Sequence, residues 1–395
     1  MRGAERRVVI LGSTGSIGVQ TLDVIERLNR KTHLFSVIGL SAGKNVDLLA
    51  EQIRRFSPIA VSIEDEEGAE ELHRHFQTIE ILVGEEGLSE LARLKRADLI
   101  VNALVGAVGL APTLAALSLG RTVALANKES LVIGGELVTA SLHEDGGTLL
   151  PIDSEHNALL QCLRAGKISE VKQVVITASG GPFLRRPIEE LAHVRPEEAL
   201  SHPNWAMGSR ITIDSATMVN KGFEVIEAHH LFSLPYKQID VIIHPGSHVH
   251  SLVEYKDGSI LAELAASDMR IPIQYALTHP ERIDTGLPRL NLDITAPLKF
   301  EPLDPGRFPA FTTVLHAAKE GGTAPAAINA ADEILVKRFL TGEIPFTGIA
   351  AGLEVILNRW VALKGSPDEE HGKISLQTIR SIDRWARSEA AALQW

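Results

Sequence analysis

Cysteine is almost missing from this chain: 395 residues contain one, Cys162. No intrachain disulfide can form, and neither a disulfide scaffold nor a cysteine zinc cluster is possible. That usage suits a reducing compartment, the cytoplasm. Positive charge is also in deficit. Lys and Arg number 39 against 50 Asp and Glu, a net charge of −11. A general nucleic-acid binder needs the opposite balance, although a local basic pocket for a small phosphate stays open. The start of the chain is short and basic, and the apolar run that follows it, residues 8–11, is too short for the core of a signal peptide. No long transit segment is expected ahead of it. One charge-free stretch, residues 99–120, is long enough to cross a bilayer. Asn102, Gly106, Gly109 and Pro112 punctuate it, so it divides into a strand (99–104) and a helix (110–119), and no membrane association is expected.

What is present is an ordinary globular composition, 45% hydrophobic and 23% charged, which excludes disorder for most of the chain. At about 150 residues per domain the length suggests two or three domains. In the first 150 residues, short β-branched runs (8–11, 35–39, 59–63, 79–83, 99–103 and 122–125) alternate with helical patterns such as 18–28, 46–56 and 113–119. That alternation implies βαβ units and a mostly parallel sheet. Beyond residue 150, strands at 171–177, 238–243, 249–255 and 260–264 mix with polar, glycine-containing loops and one long helical pattern, 213–232. A second α/β domain follows from this. Pro288, Pro297, Pro302, Pro305 and Pro309 then crowd a linker. Four helical patterns (312–320, 325–340, 345–360 and 375–393) complete the chain as a small helical bundle. The expected domains are 1–150, 151–285, a linker at 286–310, and 311–395.

The first strand runs into Gly12-Ser13-Thr14-Gly15-Ser16-Ile17-Gly18, which opens a helix. Such glycines let a backbone turn tightly and approach a pyrophosphate, and the helix N-terminus supplies free N–H groups. The second strand ends without the acid that usually holds the ribose hydroxyls of NAD. It carries Ser41, Lys44 and Asn45 instead, a set suited to a 2′-phosphate and therefore to NADPH.

Between the α/β domains, Asp153-Ser154-Glu155-His156-Asn157 gathers two carboxylates, a hydroxyl and an imidazole at a strand end. The carboxylates offer hard oxygen ligands to Mg²⁺ or Mn²⁺. Helix capping by Ser154 is the other reading. Further on, Asn220 and Lys221 share a helix face with Glu224, either as a ligand site or as a surface ion pair. Ser179-Gly180-Gly181 is a phosphate cradle or a simple turn. His202-Pro203-Asn204-Trp205 has the make-up of a loop that closes over a substrate.

These motifs, with Ala126-Asn127-Lys128-Glu129-Ser130, occur in the order found in the 1-deoxy-D-xylulose 5-phosphate reductoisomerase family, which the chain resembles over nearly its whole length. The resemblance implies a Rossmann-type N-terminal domain, a second α/β catalytic and dimerisation domain, and a C-terminal helical bundle. It implies conversion of 1-deoxy-D-xylulose 5-phosphate to 2-C-methyl-D-erythritol 4-phosphate, in the non-mevalonate route to isoprenoids, by a homodimer using NADPH and a divalent metal. Carried over residue by residue, Asp153, Glu155 and Glu224 would hold the metal. Ser179, Ser215, Asn220 and Lys221 would hold the substrate phosphate. Lys128 and Ser154 would contact the substrate near the metal, and His202 and Trp205 would sit on a mobile lid. Thr14, Gly15, Ser16, Ile17, Gly43, Lys44, Asn45, Asn127, Glu129 and Gly208 would contact NADPH. Gly246 stands where the family has a glutamine, His248 where it has an aliphatic residue, and Asp332 where it has an asparagine. The histidines His244, His248 and His250 fit strand and interface roles better than a zinc site. Two readings compete: a metal-independent Rossmann-type sugar or semialdehyde dehydrogenase, and a dinucleotide-binding regulator without activity. The presence of all three carboxylates and Lys128 counts against the regulator.

Overall fold

The computed structural model describes residues 5–32, 34–201, 208–293, 297–364 and 374–395. The chain divides into two units. One is Met1–Leu131, Gly135–Leu160 and Asp268–Arg289; the other is Val132–Gly134, Gln161–Ser267 and Leu290–Trp395.

In the first unit seven strands form a sheet: β1 (Arg6–Leu11), β2 (Phe35–Ser41), β3 (Ala60–Ile63), β4 (Glu80–Val83), β5 (Leu99–Asn102), β6 (Thr122–Leu125) and β7 (Thr148–Pro151). Every pairing is parallel, in the order β4-β3-β2-β1-β5-β6-β7. Parallel strands lie buried on both faces, which explains the unbroken apolar run Val8, Val9, Ile10 and Leu11, all fully buried. The connecting helices are α1 (Ser16–Asn29), α2 (Val46–Phe56), α3 (Glu66–His75), α4 (Gly84–Ala92), α5 (Leu110–Leu117) and α6 (Glu129–Asp145). α7 (Ser154–Leu163) follows β7. Local chemistry sets their starts: Asn45 accepts from Leu48 N at 3.1 Å ahead of α2, and Asp65 accepts from Gly68 N at 3.0 Å ahead of α3. The charge-free stretch becomes strand β5, a 3₁₀ turn at Ala107–Gly109 and helix α5, as its glycines and proline imply. The sheet order reverses direction at β1, where β2 lies on one side and β5 on the other. Ligands of open parallel sheets bind at such a crevice.

The second unit holds β8 (Val171–Ala178), β9 (Ile239–Ile243), β10 (Val249–Tyr255), β11 (Ile260–Leu264) and β12 (Glu301–Pro302), in the order β11-β10-β8-β9-β12. β8 and β9 are parallel and the other pairs antiparallel. Its helices are α8 (Pro196–Ala199), α9 (Ser209–Thr217) and α10 (Val219–Phe232), while α11 (Arg270–Thr278) belongs to the first unit. α12 (Pro309–Glu320), α13 (Ala324–Leu340), α14 (Phe346–Lys364) and α15 (Leu376–Ala392) form the helical end of the chain. By length and composition Phe346–Leu363 could cross a membrane. It packs on α12 and α13 through a stripe of Ile349, Leu353, Ile356, Leu357 and Trp360, the spacing of a core helix. The single helix expected at 213–232 is two helices. Met218 adopts φ +64° between them, and its carbonyl accepts from Gly222 N to restart the helix as α10.

Candidate active site

The glycine turn sits at the sheet's reversal point and admits no side chain where it bends. A Cβ on Gly12 (φ +81°) would lie 2.6 Å from Ala103 O, and one on Gly18 would lie 2.2 Å from Gly12 O. Buried hydrogen bonds tie this turn to the end of β2. Gly12 N donates to Ser41 Oγ at 2.8 Å, Ser13 N to Ser41 O at 2.7 Å, and Ser13 Oγ to Gln52 Oε1 at 2.6 Å. Gln52 Nε2 donates back to Ser13 O at 2.9 Å. Gly15 and Ser16 are exposed at the N-terminus of the 14-residue helix α1, with Thr14 and Ile17 half-buried beside them. That is where aligned N–H groups and the helix dipole favour an anion. Gly43, Lys44 and Asn45 are exposed just past β2. Sequence spacing did not indicate the acid nearby: a Cβ on Gly43 would lie 3.2 Å from the Glu64 carboxylate, at the end of β3.

Asn127 has a larger structural task than its motif suggested. It is buried, and its Nδ2 donates to Leu104 O and Gly106 O at 3.0 Å and to Glu129 Oε2 at 2.9 Å. Its Oδ1 accepts from Ser130 N and Oγ. The amide therefore pins the loop after β5 to the start of α6, and Glu129 is held with it. Asn102 works beside it, donating to Gly109 O at 2.9 Å and to Thr113 Oγ1 at 2.7 Å.

The acidic segment follows β7. Asp153 occupies the position before α7, where its carbonyl accepts from Asn157 N at 2.8 Å. Ser154 is already helical, and its hydroxyl donates to Glu155 Oε2 at 2.6 Å, so the capping reading does not describe it. Lys128 Nζ donates to Asp153 Oδ2 at 2.5 Å, and the buried His156 ring lies 3.9 Å from the same oxygen. Burial pushes the Asp153 carboxyl up, but Lys128 and His156 override this and hold it well below the usual carboxylate range. Within the first unit, then, Lys128, Asp153, Ser154 and Glu155 stand together, with Asp153 kept ionised as a cation ligand must be.

In the second unit the α9–α10 junction collects the other polar candidates. Asn220 and Lys221 lie in the first turn of α10 and reach Glu224 one turn on. Asn220 Nδ2 donates to Glu224 Oε1 at 2.6 Å, and Lys221 donates to Oε2. Lys221 and Glu224 are both buried, unlike a surface ion pair. The loop after β8 closes on the same place. Gly180 and Gly181 have φ +83° and +67°, and a Cβ on Gly181 would lie 2.9 Å from Ser215 O. Gly181 N donates to Ser179 Oγ at 3.2 Å. Ser179, Ser215, Asn220, Lys221 and Glu224 are thus brought together from three stretches of chain. Gly208 precedes α9, and its carbonyl accepts from Thr212 Oγ1 at 2.8 Å. His202 and Trp205 lie outside the described residues.

The unusual histidine stretch is integrated into the fold. His244 Nδ1 pairs with Lys299 O at 2.7 Å, its Nε2 accepts from His248 N at 3.3 Å, and its ring stacks on Phe300. A Cβ on Gly246 would lie 3.4 Å from the His244 ring and 3.5 Å from the His248 ring.

Comparison with known proteins agrees with this arrangement. Three family descriptions match: 1-deoxy-D-xylulose 5-phosphate reductoisomerase over residues 8–135, its C-terminal domain over 149–232, and the DXP reductoisomerase C-terminal domain over 264–389. The 1-deoxy-D-xylulose 5-phosphate reductoisomerase of Chlorobium phaeovibrioides is 46% identical over 389 residues, 98% of each chain. That of Prosthecochloris aestuarii is 47% identical over 386 residues, 97% of this chain and 98% of the relative. The Zymomonas mobilis enzyme, solved with NADPH, superposes with a TM-score of 0.90 at 42% identity, covering 98% of both chains. A DOX-P reductoisomerase solved with NADPH, fosmidomycin and magnesium gives 0.91 at 40% identity over 98% of both. The chain belongs to the 1-deoxy-D-xylulose 5-phosphate reductoisomerase family.

Proposed function

We propose that the protein is an NADPH- and Mg²⁺-dependent enzyme that rearranges and reduces 1-deoxy-D-xylulose 5-phosphate to 2-C-methyl-D-erythritol 4-phosphate. The observation that carries this reading is the likeness over 98% of both chains to an enzyme solved with NADPH, fosmidomycin and magnesium. Asp153, Glu155 and Glu224 are the proposed ligands of the dication, which is magnesium or manganese. The depressed Asp153 carboxyl and the hard oxygen donors fit such an ion. When bound, a dication supplies Lewis acidity to the carbonyl and hydroxyl oxygens of an α-hydroxyketone.

The remaining tasks fall to side chains and backbone of this chain. Lys128 and Ser154 orient the substrate beside those carboxylates. Ser179, Ser215, Asn220 and Lys221 hold its phosphate, remote from the reacting carbons, so that binding energy there orients them. Thr14, Gly15, Ser16 and Ile17 receive the NADPH pyrophosphate at α1, while Gly43, Lys44 and Asn45 receive its 2′-phosphate. Glu129, Asn127 and Gly208 complete the cofactor contacts, with the Asn127 amide acting by shaping the loop. His202 and Trp205 close over the site and exclude water. The domain boundaries given above, a cytoplasmic location and a homodimer are parts of the same reading. The dimer is supported by β11, an edge strand that leaves Ile260 and Leu261 exposed.

The test is NADPH oxidation by the purified protein with 1-deoxy-D-xylulose 5-phosphate, with and without Mg²⁺ or Mn²⁺. Oxidation that requires the dication, with the branched product identified by NMR, is expected; oxidation without any dication would move the dehydrogenase reading to the front. Glu224→Gln should abolish turnover and leave NADPH binding intact. Loss of NADPH binding in that variant would overturn the division of tasks.

A further inference from the structure

The second unit buries a cluster of charge that the proposed reaction does not use. Asp332 on α13 is fully buried, and Asp214 on α9 nearly so. Asp332 Oδ2 lies 3.3 Å from Arg210 Nη2 and 3.4 Å from its Nε. The same guanidinium approaches Asp214 Oδ2 at 3.6 Å, Glu333 Oε1 at 2.9 Å and Asn329 Oδ1 at 2.8 Å. Arg387 of α15 pairs with Glu333 at 2.6 Å and with Asp383 at 2.7 Å. Four carboxylates therefore share two guanidiniums. Among the described residues the Asp332 Oδ1 atom is buried and receives no hydrogen bond, and the Asp332 carboxyl lies within hydrogen-bonding reach of Asp214 as well as Arg210. Two carboxylates are both acceptors. They can bond to one another only if one of them carries a proton.

We propose that Asp332 and Asp214 share one proton and, with Arg210, clasp α9 to α13, positioning Ser215. The charged groups acting on Asp332 are Arg210 and Asp214 from α9 and Glu333 from its own helix, with Arg387 and Asp383 behind Glu333. Burial pushes the Asp332 carboxyl up to about 6, against the pull of Arg210 and Asp214. Arg210 and Asp332 are positioning residues, acting through the helix that carries Ser215. That part rests on the reading of Ser215 as a phosphate ligand; the shared proton does not.

A carboxyl that holds its proton more tightly folded than unfolded adds stability at low pH. It loses that contribution as pH rises from the unfolded value of 3.8 to about 6. In Asp332→Asn an amide N–H donates to Asp214 at every pH while the amide oxygen keeps the guanidinium. Urea unfolding of both proteins between pH 4 and 8 is the test. The two should be similar near pH 4 and separate up to pH ~6.5, the variant's folding constant ending about a hundredfold higher. A difference that does not change with pH, or a variant weaker at neutral pH, overturns the shared proton. For the positioning role, Arg210→Met should raise KM for 1-deoxy-D-xylulose 5-phosphate about tenfold, with kcat and KM for NADPH nearly unchanged and Arg210→Lys recovering part of the loss. An unmoved sugar-phosphate KM overturns the positioning role. Ser215→Ala separates the two failures: if it leaves that KM unchanged, the phosphate reading fails and takes the positioning role with it, and the unfolding data alone decide on the proton.

Discussion

Gly18 shows how closely single atoms constrain the cofactor turn. A Cβ there would stand 2.2 Å from Gly12 O and 2.5 Å from Ser13 Cα, both backbone atoms that cannot rotate away. Gly18→Ala must shift the turn, at a cost of about 2–3 kcal/mol in stability, and should weaken NADPH at least ~10-fold. Fluorescence titration with NADPH measures the second effect, and an unchanged Kd would remove this turn from the cofactor site. Lys44→Ala should weaken NADPH by about tenfold and NADH far less, because a charge-assisted contact to a 2′-phosphate is lost only with the phosphorylated cofactor. Equal weakening would sink that assignment. The glycines and Lys44 were legible because their chemistry is local. Gln52, Asn127 and Asp332 were not legible in the same sense. Each is a buried polar residue with partners (Ser13, Leu104 and Gly106, and Arg210) that lie 21 or more positions away in sequence.

At the scale of elements, the strands of the parallel sheet could be read because burial on both faces demands continuous apolar runs. The break between α9 and α10 could not. Met218 carries no breaker signal, and its left-handed conformation is imposed by tertiary context, with the Gly181 loop packed on Ser215 and Ala216. The consequence for the site is direct, since one continuous helix would have carried Ser215 and Asn220 around different faces. A simpler left-handed residue closes α2: Ser57, exposed, with φ +51°. Ser57→Gly relieves the Cβ clash of that conformation and should stabilise the protein by about 0.5–1 kcal/mol. The shift in urea midpoint reads this directly. A lower midpoint would mean that Ser57 makes an interaction more useful than its backbone is strained.

For the whole molecule, stability against pH is set by buried groups of opposite sign rather than by the net charge. In the second unit His230 is held neutral. Burial, with His229 alongside, pushes its imidazole down to about 4. An unfolded histidine takes up its proton near 6.5, so folding loses stability as pH falls from about 6.5 towards 4, by no more than about 3 kcal/mol. Asp332 works in the opposite direction over much of the same interval, gaining stability as pH falls through about 6. The unmodified chain should therefore show a shallow acid slope between pH 6.5 and 4.5, the sum of two steeper and opposed contributions. Asp332→Asn removes the compensating one and should steepen the loss on acidification. His230→Gln removes the other, and its stability should rise towards pH 4.5 relative to the unmodified chain. Unfolding free energies of the three proteins across that interval separate the contributions. If His230→Gln follows the unmodified chain throughout, the imidazole is not the group that resists protonation; the carboxylates that ion pairs hold ionised, Asp153 foremost among them, lose their contribution only below this interval, as pH falls below the unfolded value of 3.8.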